Sequence, residues 1–361
     1  MKPVDTELLL QEIAVTLART GPVRLMEVCG THTVALFRSG VRSLLPKDLH
    51  LISGPGCPVC VTSQGYIDAA SAAARRDGFV VCTYGDMVRV PGQGGSLAEH
   101  RAQGANVLVV YSACDALAYA VAHPEVKVVF LAVGFETTAP ATAAVVKEAK
   151  ARQVRNFFVF LGHKLVIPAM RALLASGDAA IDGFLCPGHV SVIIGADAYK
   201  VIAREHRRPC VIAGFEPAQL IQGIHNLVVQ VARREARVAN VYSAAVTAGG
   251  NRVALGYIAD VFRPGPAAWR ALGMIPGSGL ELRDEYAEFD AERQLGLTIG
   301  PDYEPPGCRC GQVIQGKCTP AECPLFRTVC TVATPIGPCM VSSEGTCAAW
   351  YKYGAPSGGR T

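Results

Sequence analysis

Met26-Glu27-Val28-Cys29-Gly30-Thr31-His32-Thr33 sets a cysteine at the end of an apolar approach and a histidine three residues beyond it. Val23, Leu25 and Val28 favour a buried strand, Gly30 permits a sharp turn, and Thr33 is placed to cap Val34-Ala35-Leu36-Phe37 as a helix. A thiol at the carboxyl end of a strand stands where open α/β sheets bind ligands, and a helix N-terminus beside it favours the thiolate. Taken alone, the stretch fits a nucleophile with its base, a pair of metal ligands, or a buried structural cysteine.

The same grammar continues along the chain. Apolar runs at 23–28, 49–53, 79–83, 106–111, 126–133, 156–161, 181–186 and 210–214 read as buried strands with helical patterns between most of them. That alternation predicts parallel sheets covered on both faces. Asp5 is a plausible N-cap for a first helix carrying Leu8, Leu9, Ile13 and Leu17 at helical spacing. Gly134-Phe135-Glu136 and Gly214-Phe215-Glu216 both follow strands and precede a helix-starting proline, which suggests two similar parallel-sheet α/β units. Glu136, Thr137, Thr138, His163 and His189 stand at neighbouring strand ends, candidates to line one cleft with Cys29 and His32.

Beyond about residue 260 prolines and glycines multiply and apolar runs fade. A linker, a short acidic helix near 281–295 and a metal-stabilised segment are expected there. The organisation read from the sequence is an α/β unit over 1–125 with the Cys29 and Cys57/Cys60 motifs, a second over 126–260 with a soft boundary, and a cysteine-rich domain over 261–361.

Composition narrows the function classes. The 361 residues exceed one typical core, half are hydrophobic, and the net charge is only +4, with arginines scattered rather than gathered. Nucleic acid is excluded as a partner on that ground. The start, Met1 to Glu7, lacks the layout of a secretory signal, and no run reaches ~18 apolar residues, so a cytoplasmic protein without a membrane partner is expected. Fourteen cysteines in such a compartment point to metal binding or thiol redox chemistry rather than structural disulfides.

Three cysteine groups carry that chemistry. Cys308, Cys310, Cys318, Cys323, Cys330, Cys339 and Cys347 are almost without histidine nearby, so an all-thiolate site is indicated, either a zinc or an iron–sulfur cluster; the lack of paired C-x-x-C knuckles favours the cluster. Gly54-Pro55-Gly56-Cys57-Pro58-Val59-Cys60 puts a C-x-x-C pair between a strand and a helix, which suits a redox dithiol better than half a zinc site. Cys29 with His32 is the third group. Cys82, Cys114, Cys186 and Cys210 read as small core residues, and Pro91-Gly92-Gln93-Gly94-Gly95-Ser96 lacks the lysine of a phosphate-binding loop.

Together these motifs resemble the HypD family of hydrogenase maturation factors. The resemblance rests on Met26–Thr33, Gly54–Thr62, Gly134–Pro140, Pro187-Gly188-His189-Val190 and Cys339–Tyr351, found in order and nearly chain-wide. It implies that Cys29 holds an iron carrying cyanide and carbon monoxide, the Fe(CN)2CO unit of nickel–iron hydrogenases, shared with the partner HypC while HypE delivers the cyanide. It implies that Cys57 and Cys60 are a redox-active dithiol and that the tail is an iron–sulfur domain holding a [4Fe-4S] cluster. The family cluster takes four thiolates, here Cys323, Cys330 and Cys347 with a first ligand from the pair Cys308 and Cys310, assigned to Cys308, while Cys318 and Cys339 are dispensable. The expected function is an assembly scaffold with redox support, in which His32 tunes the Cys29 thiolate. The alternatives are a stand-alone thiol-disulfide oxidoreductase using Cys57 and Cys60, and a zinc-stabilised hydrolase with Cys29 as nucleophile.

Overall fold

The computed structural model describes residues 5–177 and 180–354. Asp5 caps the first helix, α1 (Thr6–Thr20), by accepting from the Leu8 amide at 3.1 Å, and Ile13 and Leu17 face inward. Each expected apolar run then forms a strand. β1 (Val23–Glu27), β2 (Leu49–Ser53), β3 (Phe79–Thr83), β4 (Val107–Val109), β5 (Lys127–Gly134), β6 (Phe157–His163), β7 (Gly183–Cys186) and β8 (Cys210–Ile212) are joined by a short β9 (Val238–Asn240).

These strands divide into two wholly parallel sheets. The first has the order β9-β8-β7-β1-β2 and the second β4-β3-β5-β6. The chain leaves the first sheet after β2, builds the second, and returns to the first at β7. In each sheet the order reverses once, between β1 and β7 and between β3 and β5. Such reversals open a crevice at the carboxyl ends of the strands because the flanking connections run to opposite faces. Cys29 follows β1, and Glu136 follows β5.

The region beyond 260 departs from expectation. Phe262–Trp269 and Gly273–Leu282 pair as a long antiparallel hairpin, β10 and β11, with an irregularity between Gly265 and Ala267. Phe262, Trp269, Leu280 and Leu282 are buried from it, yet Pro264, Pro266 and Pro276 hide its alternation. Proline is tolerated because a two-stranded ribbon has free edges. The acidic segment near 281–295 is a 3₁₀ turn over Asp284–Phe289 followed by a five-residue helix, Ala291–Leu295. Cys82, Cys186 and Cys210 are core residues as read, whereas Cys114 is exposed, because its helix presents that position to solvent. Among the described residues no helix is long and apolar enough to cross a membrane.

Candidate functional site

Cys29 is itself the N-cap of α2 (Gly30–Arg38), so the helix starts four residues earlier than a Thr33 cap would place it. Thr33 serves instead as a strut: its hydroxyl donates to Glu27 Oε2 at 2.5 Å. The other Glu27 oxygen accepts from Arg42 at 3.2 Å, and burial still holds the Glu27 carboxyl above its ordinary range. The Arg42 guanidinium also lies over the rings of Phe37 and Trp350. The Glu27–Arg42 ion pair therefore ties β1, α2 and the C-terminal helix (Thr346–Tyr353) together next to Cys29.

Two glycines let other chain segments close on this cysteine. A Cβ at Gly56 would lie 2.3 Å from the Cys29 nitrogen and 2.5 Å from its Cα. A Cβ at Gly30 would lie 2.3 Å from the Glu344 carbonyl oxygen. The Gly54–Cys57 turn thus rests against the Cys29 backbone from one side and the Ser343–Gly345 turn from another. The Thr31 hydroxyl donates to Glu344 Oε1 at 2.6 Å. Burial pushes the Cys29 thiol up to about 11, with the Glu344 charge adding to the rise and hydrogen bonds from the His32 and Thr31 amides opposing it. Desolvation outweighs the helix N-terminus that the sequence places there.

His32 is fully buried, and its Nε2 lies 3.1 Å from the carbonyl oxygens of both Ala213 and Gly214. Burial lowers its pKa to about 4, so the ring is neutral at pH 7 and is positioned by the β8 end rather than free to take protons. Phe215 packs on it at 5.0 Å between ring centroids, and the exposed His189 packs on the other part of Phe215 at 4.2 Å. Cys29, His32 and His189 are accordingly brought to one crevice, the reversal point between β1 and β7.

The dithiol occupies the next position outward. Cys57 caps the four-residue helix α3 (Pro58–Val61), its sulfur accepting from the Cys60 amide at 3.4 Å. Both cysteines are buried, and burial raises the Cys60 thiol well above its ordinary range instead of lowering it. The Cys60 thiol is a near neighbour of the Cys57 and Cys339 thiols, each of which influences its acidity. Cys339 in turn reaches Cys310 and Cys347, and Cys310 reaches Cys308. An unbroken line of thiols runs from the Cys29 neighbourhood into the C-terminal segment.

That segment folds around a small cavity lined by six thiols, those of Cys308, Cys310, Cys323, Cys330, Cys339 and Cys347, with Leu325, Phe326 and Met340. The expected cluster ligands Cys308, Cys323, Cys330 and Cys347 are all on its wall. Cys318 lies elsewhere, in a groove with Arg24, His50 and Trp350. A Cβ at Gly337 would lie 2.9 Å from the Cys308 sulfur, so this glycine keeps the cavity open. Among the described residues no three His, Cys, Asp or Glu side chains are arranged to hold a single metal ion.

The remaining candidates are dispersed. Glu136 is buried at the reversal point of the second sheet, where one carboxyl oxygen accepts from the Val166 amide at 2.9 Å and the other has no partner. Desolvation raises its pKa to about 7. Gly134 has a φ of 155°, and a Cβ there would lie 1.7 Å from Thr138 Oγ1, so the Gly-Phe-Glu turn closes on Thr138 while Thr137 stays exposed. The second Gly-Phe-Glu differs, since Glu216 is an exposed helix cap. His163 is buried against Thr142 and Phe262 rather than in the cleft. Phe215 and Glu344 lie within motifs that the sequence offers, but neither they nor Arg42 were site candidates, because their roles arise from contacts 183, 313 and 15 residues away.

Comparison with known proteins follows the same residues. The family model described as "Hydrogenase formation hypA family", HypD, matches residues 5–354. The chain is 49% identical to the hydrogenase maturation factor HypD of Escherichia coli K12 over 92% of this chain and 89% of that protein. It is 47% identical to the HypD of Azotobacter vinelandii over 92% and 89%, and 48% identical to that of Cupriavidus necator over 91% and 89%.

Proposed function

From the premise that this chain belongs to the HypD family and acts in hydrogenase maturation, we propose that it is the scaffold on which the Fe(CN)2CO unit is assembled at Cys29. The observation that carries this reading is the meeting of three segments at Cys29: the β1 end, the Gly54–Cys57 turn and the Glu344 turn. A cysteine meant as a nucleophile needs a base, but His32 turns its Nε2 to two backbone carbonyls, and burial lowers its pKa to about 4, which makes it a weak base. A thiolate ligand needs only a rigid mount and a route for its proton. Iron, the cargo, is a metal that thiolate holds well. HypC shares this iron and HypE supplies the cyanide groups, each reaching Cys29 through the crevice that His189 and Phe215 border.

The C-terminal cavity fits a [4Fe-4S] cluster. Its donors are thiols alone and its other walls are apolar. Cys308, Cys323, Cys330 and Cys347 would hold the cluster, which supplies single electrons when bound. Cys60 neighbours Cys339, one of the thiols that line the cavity, and this proximity supports a path for reducing equivalents through the chain's own thiols toward the iron. Burial of Cys57 and Cys60 speaks against a stand-alone oxidoreductase, which must offer a sulfur to a foreign disulfide.

Anaerobic co-production with HypC and HypE, followed by infrared spectroscopy, tests the reading. Bands of metal-bound cyanide and carbon monoxide are expected, lost in Cys29→Ala while iron and sulfide of the C-terminal segment persist. Unchanged bands in Cys29→Ala overturn it.

A further inference from the structure

We infer that a small, partly open cavity behind the dithiol helix is a binding site for one small oxyanion of formate or bicarbonate size, held by Lys164 and Ser63. The inference does not rest on the iron assignment. The cavity measures about 50 Å³ and is lined by Thr62, Ser63, Tyr66, His163, Lys164 and Gly279, among others. One water needs about 10–15 Å³ of such space, so the cavity takes an occupant of a few heavy atoms.

Lys164 is the reason to expect an anion. Its side chain is 95% buried, the complement of its 5% exposure, and its ammonium donates to one acceptor, the Ala268 carbonyl oxygen at 2.8 Å. An ammonium has three donors, which leaves two without a described acceptor. The Trp269 ring 5.4 Å away is its other favourable neighbour. Among the described residues no carboxylate lies within ion-pair distance; Asp302 acts on it only from further off, and that carboxylate is engaged by the Gln64 amide at 2.6 Å. Buried charges are ordinarily paired, because an isolated one forfeits its hydration. Desolvation accordingly lowers the Lys164 pKa to about 7, the cost that a bound anion would relieve.

The opposite wall offers matching donors. Ser63 is the N-cap of α4 (Gln64–Ala74), is 3% exposed, and does not spend its hydroxyl on the helix it caps. Ser63 and Tyr66 at the start of that eleven-residue helix both line the cavity, while its Gln64 amide donates to Asp302 Oδ1. His163, whose Nδ1 is buried without a partner, completes the polar lining. Thr62 and Ser63 directly follow Cys60 and Val61, so an occupant would sit against the segment that carries the dithiol.

Equilibrium dialysis of the full-length, anaerobically purified protein with radiolabelled formate tests this. Saturable binding of one formate per chain is expected, displaced by bicarbonate and nitrate and not by the larger sulfate or phosphate. Lys164→Met should weaken it by about tenfold or more, as loss of a charged hydrogen-bond partner does. Where circular dichroism shows that Lys164→Met does not fold, Ser63→Ala decides, with severalfold weaker binding expected. Absence of saturable binding at tens of millimolar, equal displacement by sulfate, or unchanged affinity in the folded variant overturns the proposal.

Discussion

Gly56→Ala is the sharpest probe of how Cys29 is mounted. The added methyl would lie 2.3 Å from the Cys29 nitrogen, 2.5 Å from its Cα and 2.6 Å from the Val28 carbonyl carbon. Comfortable contact is about 3.5–4.0 Å, so the turn and the Cys29 backbone must separate by roughly 1 Å or more. All three obstacles are backbone, and no rotamer change relieves them. Overpacking of this kind costs about 1–3 kcal/mol. At about 2 °C per kcal/mol for a chain of this size, the thermal midpoint should fall by roughly 2–6 °C. Function should suffer more than stability, since a misplacement of about 1 Å at a reacting group is worth ~100-fold. The expected result is a folded protein whose C-terminal iron and sulfide are normal and whose cyanide and carbon monoxide infrared bands are nearly gone. Gly256→Ala, exposed on a helix with nothing within 4 Å of the new atom, should instead be neutral or stabilising by about 0.5–1 kcal/mol. Full infrared bands and an unchanged midpoint in Gly56→Ala would refute the argument that this turn braces Cys29.

Other expectations follow from the same contacts. Arg42→Ala strands the fully buried Glu27 carboxylate and should destabilise by about 3–5 kcal/mol in denaturant titration, with Glu27→Gln added to it recovering part of the loss. Glu136 has a folded pKa raised to about 7 against 4.5 unfolded, so unfolding releases a proton in that interval and stability should decline as pH rises from 4.5 through 7. Glu136→Gln should flatten that decline, and an identical slope in the variant would refute the assignment. His32 and His163, both lowered to about 4, act in the opposite direction: the unfolded chain binds protons first, so stability should fall as pH drops from 6.5 toward 4. Cys318→Ser should keep the iron and sulfide content, whereas Cys330→Ser should lose it; the reverse pattern would sink the ligand set.

The strand order of the fold was hidden, but the strands were not. Eight apolar runs such as Val128–Val133 declare themselves because both faces of a parallel strand are buried and every residue must be apolar. The hairpin over 262–282 escaped because only alternate residues of a ribbon need burial, and here prolines occupy several of the rest. The thiols were legible as a set by chemistry alone. Their assignment to places was not, since proximity of Cys60 to Cys339 depends on a contact 279 residues long, which spacing cannot encode. The thiol acidities inferred from helix starts also failed, because a sequence shows the dipole and conceals the burial that overrides it.

The C-terminal segment is what turns two ordinary α/β sheets into one device. Its Ser342 hydroxyl and Ser343 amide both donate to Asp86 Oδ2, after the second sheet's β3, and its Glu344 accepts from Thr31, after the first sheet's β1. Arg89 reaches back to the Val341 carbonyl oxygen, and Trp350 packs on Phe37. The turn between Cys339 and Cys347 is therefore gripped by both sheets at the carboxyl ends of their strands, and the two cysteines that bound it line the thiol cavity. Ordering that cavity orders the Glu344 turn, and the Glu344 turn braces Gly30 beside Cys29. On the proposed reading, filling the cavity would therefore also steady the Cys29 crevice. Removal of iron from the C-terminal segment by a chelator should loosen the Thr31–Glu344 contact as well as the tail, seen as faster amide exchange at Gly30 and Thr31. Exchange confined to residues beyond 305 would show that the two sites are mounted independently.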